Sequence, residues 1–195
     1  ENTKVTGVCD FNPKSLENIR GYLDGSIAVY DNFDEFIDSG LFDAVVLCNY
    51  FMEHVPFAVK AMERGIHVLS ECTPALTMAE CVQLCRTVEK TGCKYMLAEN
   101  YPFFACNMEM KRRYDTGNFG RALFCEGEYN HPTSDWDTEF TKIYRFYPEH
   151  WRHFLPRTYY ITHSLGPVMH MTGATPKKVT AFAMFEPIAM DVPTA

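Results

Sequence analysis

Four short polar segments each follow a predicted β-strand, and they are the first candidates for a ligand site. They are Asp10, Asn49 to His54, Glu71 to Pro74, and Glu99-Asn100. In a parallel sheet, ligands bind beyond the carboxyl ends of the strands, so such segments meet at one edge. A strand-ending carboxylate such as Asp10 suits the ribose hydroxyls of a dinucleotide. The alternative is that Asp10 is a turn residue before Asn12-Pro13.

A second group of candidates lies later in the chain, where a histidine follows a tyrosine and a threonine. His163 follows Tyr160 and Thr162, and it is a candidate general base because imidazole changes protonation near neutral pH. It could equally satisfy backbone groups at a helix start. His131 is a second acid–base candidate, and the planar donor fork of Arg152 suits substrate oxygens unless it lies on a solvated face.

The first half of the chain alternates short apolar runs with amphipathic stretches. We predict strands over residues 5–9, 44–47, 67–70 and 95–98. We predict helices from Pro13, over residues 55–64, and from about residue 79 to Gly92, the last one after the capping-box pattern Thr77-Met78-Ala79-Glu80. This alternation predicts an α/β fold of the Rossmann type, a doubly wound parallel sheet with helices on both faces.

The pattern changes after residue 100, where we predict a second domain. Helices are predicted over residues 104–114 and 163–171, and strands over residues 121–130 and 177–185. Tyr129 alternates along the first of these strands and would contact substrate or belong to the core. The chain therefore divides into residues 1–100 and residues 101–195, the start of an α+β substrate domain. Because two strands do not make a stable open sheet alone, we expect further chain or a partner there.

A glycine-rich turn is missing from this pattern. A dinucleotide-binding domain usually opens with a strand, a G-x-G-x-x-G turn and a helix N-terminus that holds the pyrophosphate. No G-x-G-x-x-G occurs in the sequence. We therefore expect that the chain begins about one strand–helix unit late, keeps the ribose and nicotinamide sides of the site, and binds NAD weakly.

Composition argues against several classes of partner. The chain has 18 Lys and Arg against 25 Asp and Glu and a net charge of −7, which argues against nucleic-acid binding. No apolar run approaches the roughly 18 residues that span a bilayer, and residues 1–4 lack the apolar core of a signal peptide.

None of the eight cysteines forms a Cys-x-x-Cys pair, so we expect free thiols in the reducing cytoplasm and no metal. The alternative is a metal shared by Cys81 and Cys85.

At Glu71-Cys72-Thr73-Pro74 and Ala98-Glu99-Asn100-Tyr101 the sequence resembles the glucose–fructose oxidoreductase/inositol dehydrogenase (Gfo/Idh/MocA) family. The resemblance implies NAD as cofactor and a Rossmann domain followed by a substrate domain with an open antiparallel sheet. The family's Glu-Lys-Pro motif is matched at Glu71 and Pro74, but Cys72 stands where the family has the lysine that helps to deprotonate the substrate. A thiol in apolar surroundings is a poor substitute, because it is neither cationic nor readily ionised.

The string Tyr160-Ile161-Thr162-His163-Ser164-Leu165-Gly166-Pro167, with Arg152 and residues 126–131, resembles the NAD-dependent α-N-acetylgalactosaminidase branch of this family. The resemblance implies cofactor contacts at Asp10, Asn49, Phe51, His54, Glu71, Cys72, Asn100 and Tyr160. It implies substrate contacts at Tyr129, at Arg152 and from Tyr160 through His163, which include Thr162. His131 is a further candidate for substrate binding, and the chemistry of imidazole makes His163 the candidate catalytic base, with Tyr160 as the catalytic residue that relays or polarises the proton.

The chemistry that this resemblance implies is redox-neutral cleavage of a sugar. The sugar C3 is oxidised by NAD, the C2 proton is removed, the group at C1 leaves, water adds, and the ketone is reduced again. One alternative is an ordinary NAD(P)-dependent sugar or cyclitol dehydrogenase, and another is a non-catalytic member that binds dinucleotide or sugar. NAD is expected over NADP because Asp10 would repel a 2′-phosphate. We also expect a homo-oligomer with a small-molecule carbohydrate as its partner.

Overall fold

The computed structural model describes residues 3–23, 25–130 and 157–183. The chain forms two compact units, residues 1–98 and residues 99–195. The first unit has alternating strands and helices, and the described elements of the second unit are helices and 3₁₀ turns. Within the described ranges, every helix is too short or too polar to cross a bilayer.

Strands and helices alternate along the first unit, as predicted. Its strands are β1 (Gly7–Cys9), β2 (Ala28–Tyr30), β3 (Ala44–Leu47), β4 (His67–Ser70) and β5 (Tyr95–Leu97). Its helices are α1 (Pro13–Arg20), α2 (Phe33–Asp38), α3 (His54–Met62) and α4 (Met78–Thr91), with a 3₁₀ turn over Phe51–Glu53. The strands predicted over residues 44–47 and 67–70 are confirmed, and the other two predicted strands are slightly shorter than expected.

Side-chain caps fix where α1 and α4 begin. The Asn12 side chain accepts a hydrogen bond of 3.0 Å from the Lys14 N–H, and Pro13 occupies the first turn of α1. At α4, the Thr77 hydroxyl accepts from the Glu80 N–H at 3.2 Å, while the Glu80 carboxylate accepts from the Thr77 N–H at 2.8 Å. This is the predicted capping box, and an N-cap of this kind contributes about 1 kcal/mol.

All strand pairs in the first unit are parallel, which confirms the predicted α/β class. β1 pairs with β2, while β3, β4 and β5 form a second sheet in that order. The register places Val45 beside Val68, and it places Val46, Leu69 and Met96 in one row. Side chains alternate along a strand, so the buried pair Val45 and Val68 faces one side of the sheet and the row faces the other.

The buried side of this sheet packs against α3. Val55, Ala58 and Met62 lie on one face of α3, are at most 1% exposed, and belong to the same apolar cluster as Val45 and Val68. Burying a valine or methionine side chain contributes about 1.5–3 kcal/mol. The cluster therefore holds β3 and β4 in place and fixes where the loops after these strands begin.

The opposite face of the sheet is open in the described part of the chain. Val46 is 60% exposed and Met96 is 55% exposed. In the described ranges, β1 pairs with β2 alone and β3 pairs with β4 alone, so the two sheets are not joined. Parallel sheets are usually covered on both faces.

The second unit contains α5 (Ala105–Asp115) and α6 (Thr162–Thr172), with 3₁₀ turns over Tyr101–Phe103 and Arg157–Tyr160. α6 packs against α5 and against the first of these turns. Both helices predicted for this region are confirmed. The strands predicted over residues 121–130 and 177–185 are wrong for residues 121–130 and 177–183, and residues 184–185 lie outside the described part. A strand needs a neighbour for its backbone N–H and C=O groups, and the described residues give these segments none.

Candidate functional site

Two carboxylates lie where β1 and β2 end. Asp10 follows β1, and its Oδ1 accepts a hydrogen bond of 2.8 Å from the Asn12 N–H, which is the turn role considered as the alternative. Asp31 follows β2. Burial, and then the charges of Asp10 and Asp31, raise the pKa of the Cys9 thiol to about 11. Both carboxylates are therefore close enough to Cys9 to act on it, and together they make this strand end strongly negative.

The side chain of His54 is buried between two loops. It is 1% exposed, and its Nδ1 lies 2.8 Å from the carbonyl oxygen of Thr73, while its Nε2 lies 3.1 Å from that of Asn49. A neutral imidazole has one N–H and donates to one of these oxygens at a time. Phe51, in the preceding 3₁₀ turn, is also buried. Both side chains thus shape the loops after β3 and β4 from within, and a cofactor contact here would use the backbone.

Asn49 and Glu71 are placed at the ends of β3 and β4. The Asn49 amide Nδ2 donates to Glu53 at 3.4 Å, whereas its Oδ1 is buried without a hydrogen-bond partner among the described residues. The Glu71 carboxylate accepts from the Cys72 N–H at 3.2 Å. Burial, and then the charge of Glu71, raise the pKa of the Cys48 thiol. This strand edge thus offers one buried acceptor that lacks a donor.

In the second unit, Glu99 and His163 form a buried pair. The Nδ1 atom of His163 lies 2.9 Å and 2.8 Å from the two carboxylate oxygens of Glu99, and each side chain is 9% exposed. The Glu99 Oε1 also accepts a hydrogen bond of 3.0 Å from the Tyr101 N–H. Glu99 precedes a 3₁₀ turn and His163 lies in the first turn of α6, so two rigid elements set this geometry.

Three tyrosine rings surround the imidazole of His163. Tyr101 stacks on it, with ring centroids 4.2 Å apart and planes at 13°. Tyr129 and Tyr160 meet it edge-on, with centroids at 4.8 Å and 4.5 Å. These two tyrosines also stack on each other at 5.2 Å. The structure therefore brings together the predicted residues Tyr129, Tyr160 and His163.

Two glycines allow close approach around α6. A Cβ atom on Gly166 would lie 3.2 Å from the Cγ of Glu99, so this position makes room for the glutamate one helical turn beyond His163. A Cβ atom on Gly127 would collide with the backbone carbonyl of Ser164. The segment that carries Tyr129 thus reaches the start of α6 because residue 127 has no side chain.

Of the other predicted residues, the structure describes Asn100 and Thr162. Asn100 is exposed, and its carbonyl accepts from the Phe103 N–H at 3.0 Å. The hydroxyl of Thr162 is buried and has no hydrogen-bond partner among the described residues. His131 and Arg152 lie outside the described residues. The sequence places Glu99 in a candidate ligand segment but does not identify His163 as its partner, and it gives Tyr101 no role, although both residues adjoin Asn100 in a segment that the family resemblance marks.

Comparison with protein families gives a match over residues 1–99, to the model described as "Oxidoreductase family, NAD-binding Rossmann fold". Among curated relatives, an α-N-acetylgalactosaminidase of Bacteroides fragilis is 34% identical over 139 residues, which are 65% of this chain and 30% of that protein. A glycosyl hydrolase family 109 protein of Saccharopolyspora erythraea is 30% identical and covers 84% of this chain and 38% of its own length. The chain thus spans about a third of the length of these relatives.

Solved structures share the fold over about two thirds of this chain. An oxidoreductase from Thermotoga maritima has a TM-score of 0.57 and 25% identity, and the match covers 68% of this chain and 43% of that one. A scyllo-inositol dehydrogenase from Lactobacillus casei, solved with NAD(H) and scyllo-inositol, has a TM-score of 0.57 and 22% identity over 60% of this chain and 34% of its own. At that identity the second likeness shows the fold alone.

Proposed function

Since this chain belongs to the oxidoreductase family with an NAD-binding Rossmann fold, we propose that it acts on a sugar by hydride chemistry, as a redox-neutral glycosidase with NAD as cofactor. The observation that carries the proposal is the buried pair of Glu99 and His163 beside Tyr129 and Tyr160. A histidine backed by a carboxylate can move protons. Tyrosine offers an apolar face and a hydroxyl, which suits a sugar ring.

The first unit suits NAD in the parts of the site that its described residues provide. Asp10 and Asp31 place carboxylates at two strand ends, where they would bind ribose hydroxyls and repel a 2′-phosphate. The buried Oδ1 of Asn49 lacks a donor, and a donor group of the cofactor would satisfy it. When bound, NAD supplies the hydride acceptor, and later the hydride donor, that chemistry at a sugar C3 requires.

Residues of the second unit would transfer the protons. In the proposed reaction His163 accepts the proton of the sugar 3-hydroxyl, and Tyr160 polarises or relays it. A ketone at C3 makes the C2 proton acidic, so its removal expels the group at C1 before water adds. Arg152 would anchor substrate oxygens, with His131 as a second acid or base. Cys72 replaces the family lysine, which leaves His163 as the principal base.

The test uses the purified protein with NAD and a panel of aryl glycosides. Release of the aryl group without net NADH formation is expected, and His163→Gln should lower the rate by roughly 10²–10⁴-fold, the usual contribution of a general acid or base. His170→Gln, on the same helix, is the matched control and should retain most activity. Steady NADH formation from a free sugar would instead identify an ordinary dehydrogenase.

We further propose a cytoplasmic homo-oligomer as the working state. None of the eight cysteines, all of which lie among the described residues, forms a disulfide in the structure, which suits a reducing compartment. The mass of the protein in solution, measured by light scattering, tests the oligomer. A mass equal to that of one chain at micromolar concentration would contradict it.

A further inference from the structure

We infer that Glu99 is a positioning residue for His163, which it holds with the proton on Nδ1 so that Nε2 is the atom that accepts a proton. Its effect on catalysis rests on the proposed function, whereas the orientation of the ring is independent of it. In this role Glu99 acts on catalysis through the imidazole and not by direct contact with the reacting atoms.

The contact between His163 Nδ1 and the Glu99 carboxylate determines which ring nitrogen carries hydrogen. Both oxygens of Glu99 lie within 2.9 Å of His163 Nδ1. An ionised carboxylate only accepts hydrogen bonds, so this contact requires the hydrogen on Nδ1. In the neutral ring the lone pair then lies on Nε2. A buried carboxylate on the Nδ1 side is the arrangement that fixes the tautomer of a catalytic histidine in hydrolytic triads.

The carboxylate is itself held by its surroundings. The Tyr101 N–H donates to Glu99 Oε1 at 3.0 Å, and the ring of the same tyrosine stacks on the imidazole at 4.2 Å. Tyr101 thus contacts both Glu99 and His163 and restricts the movement of both side chains. Gly166 leaves the space that the glutamate stem occupies, because a Cβ there would lie 3.2 Å from Glu99 Cγ. The edge-on rings of Tyr129 and Tyr160 further restrict rotation of the imidazole.

The first test reads the tautomer directly. Long-range proton–nitrogen NMR spectra of the full chain with labelled histidine, at neutral pH, show which ring nitrogen carries hydrogen, and His163→Gln assigns the signal. Nδ1–H is expected in the wild type and in the control Glu109→Gln, on an exposed helix face. In Glu99→Ala the signal should move toward Nε2–H. A wild-type proton on Nε2 or on both nitrogens, or no change in Glu99→Ala, would overturn the inference.

The second test reads catalysis. Glu99→Gln retains the shape but removes the charge, and it should lower kcat by roughly 10²–10⁴-fold with little change in KM, as expected for a wrongly oriented base. Gly166→Ala should push the glutamate aside and lower kcat by roughly 10–100-fold, whereas Ser164→Ala should not. A Glu99→Gln enzyme with wild-type kcat would contradict the catalytic role. If the wild type cleaves no glycoside, the proposed function fails while the NMR result still decides the orientation.

Discussion

The imidazole of His54 lies 2.8 Å from the carbonyl oxygen of Thr73, 19 positions further along the chain. This buried contact ties the start of α3 to the loop after β4. The other ring nitrogen lies 3.1 Å from the carbonyl of Asn49, at the end of β3. One side chain thus links the two strand-end loops that the family resemblance assigns to the cofactor.

Replacing His54 by leucine is expected to lower both stability and NAD affinity. The substitution leaves one part-buried carbonyl oxygen, that of Thr73 or Asn49, without its donor, which costs about 1–3 kcal/mol. It also releases the loop of Glu71 and Cys72. Urea unfolding measures the first effect and titration with NAD measures the second. Lys60→Gln is the control on the same helix, because its pair with Asp34 is exposed. It should change the free energy of unfolding by less than about 0.5 kcal/mol.

The Cys9 thiol is expected to resist alkylation until the pH approaches about 11. Because its pKa is raised in the folded state, the unfolded thiol loses its proton first, and the free energy of unfolding should fall as the pH rises from about 9 toward 11. Peptide-level mass spectrometry after pulses of iodoacetamide measures the titration. Asp31→Asn should move it to lower pH, whereas Asp43→Asn should not. Equal titration curves for the wild type and Asp31→Asn would contradict the proximity of that carboxylate.

The sequence predicts those strands and helices of the first unit that have a recognisable local pattern of residues. The apolar runs of β3 and β4 and the capping box of α4 are local patterns. α2 escapes prediction because six residues are too few to show a helical period, and the three-residue strand β2 also escapes prediction. The strands predicted for residues 121–130 and 177–183 are wrong for another reason, since alternation alone cannot supply the neighbouring strand that pairing needs.

Some residues of the candidate site could also be predicted from the sequence, and others could not. His163, Tyr160 and Tyr129 could be picked out because each sits in a recognisable segment of sequence. The partnership of Glu99 with His163 could not, because the residues are 64 positions apart and only the packing of α6 against the turn after Glu99 brings them together. A strand-ending glutamate is equally typical of a surface ion pair. The burial of Glu99 and the contact of both its oxygens with His163 Nδ1 distinguish this pair from a surface ion pair.

Tyr160→Phe and Tyr129→Phe are expected to affect the proposed reaction differently. Both rings flank His163, but Tyr160 is the proposed proton relay and Tyr129 a substrate contact. Loss of the Tyr160 hydroxyl should therefore lower kcat by roughly tenfold or more, while loss of the Tyr129 hydroxyl should mainly raise KM. Steady-state kinetics with an aryl glycoside distinguish the two, with the exposed Tyr22→Phe as control. A raised KM and an unchanged kcat in Tyr160→Phe would remove it from proton transfer.

In the described part of the chain, β1 and β3 each have one edge that pairs with no strand. An added segment with an apolar strand, a G-x-G-x-x-G turn and a helix, joined before residue 1, is expected to pair with both edges and to cover the exposed Val46 and Met96. It should tighten NAD binding by about tenfold or more, because the new helix N-terminus would hold the pyrophosphate.

Hydrogen exchange measures whether the added strand pairs with β1 and β3, and NAD titration measures whether the added turn and helix strengthen cofactor binding. Amides of β1 and β3 should exchange more slowly once a strand pairs with them, whatever the cofactor does. The matched control replaces the turn glycines by valine, which keeps the strand and helix but prevents the backbone from approaching a phosphate. It should retain the slower exchange and lose the gain in affinity. Unchanged exchange in β1 and β3 would show that the gap between them does not accept a strand.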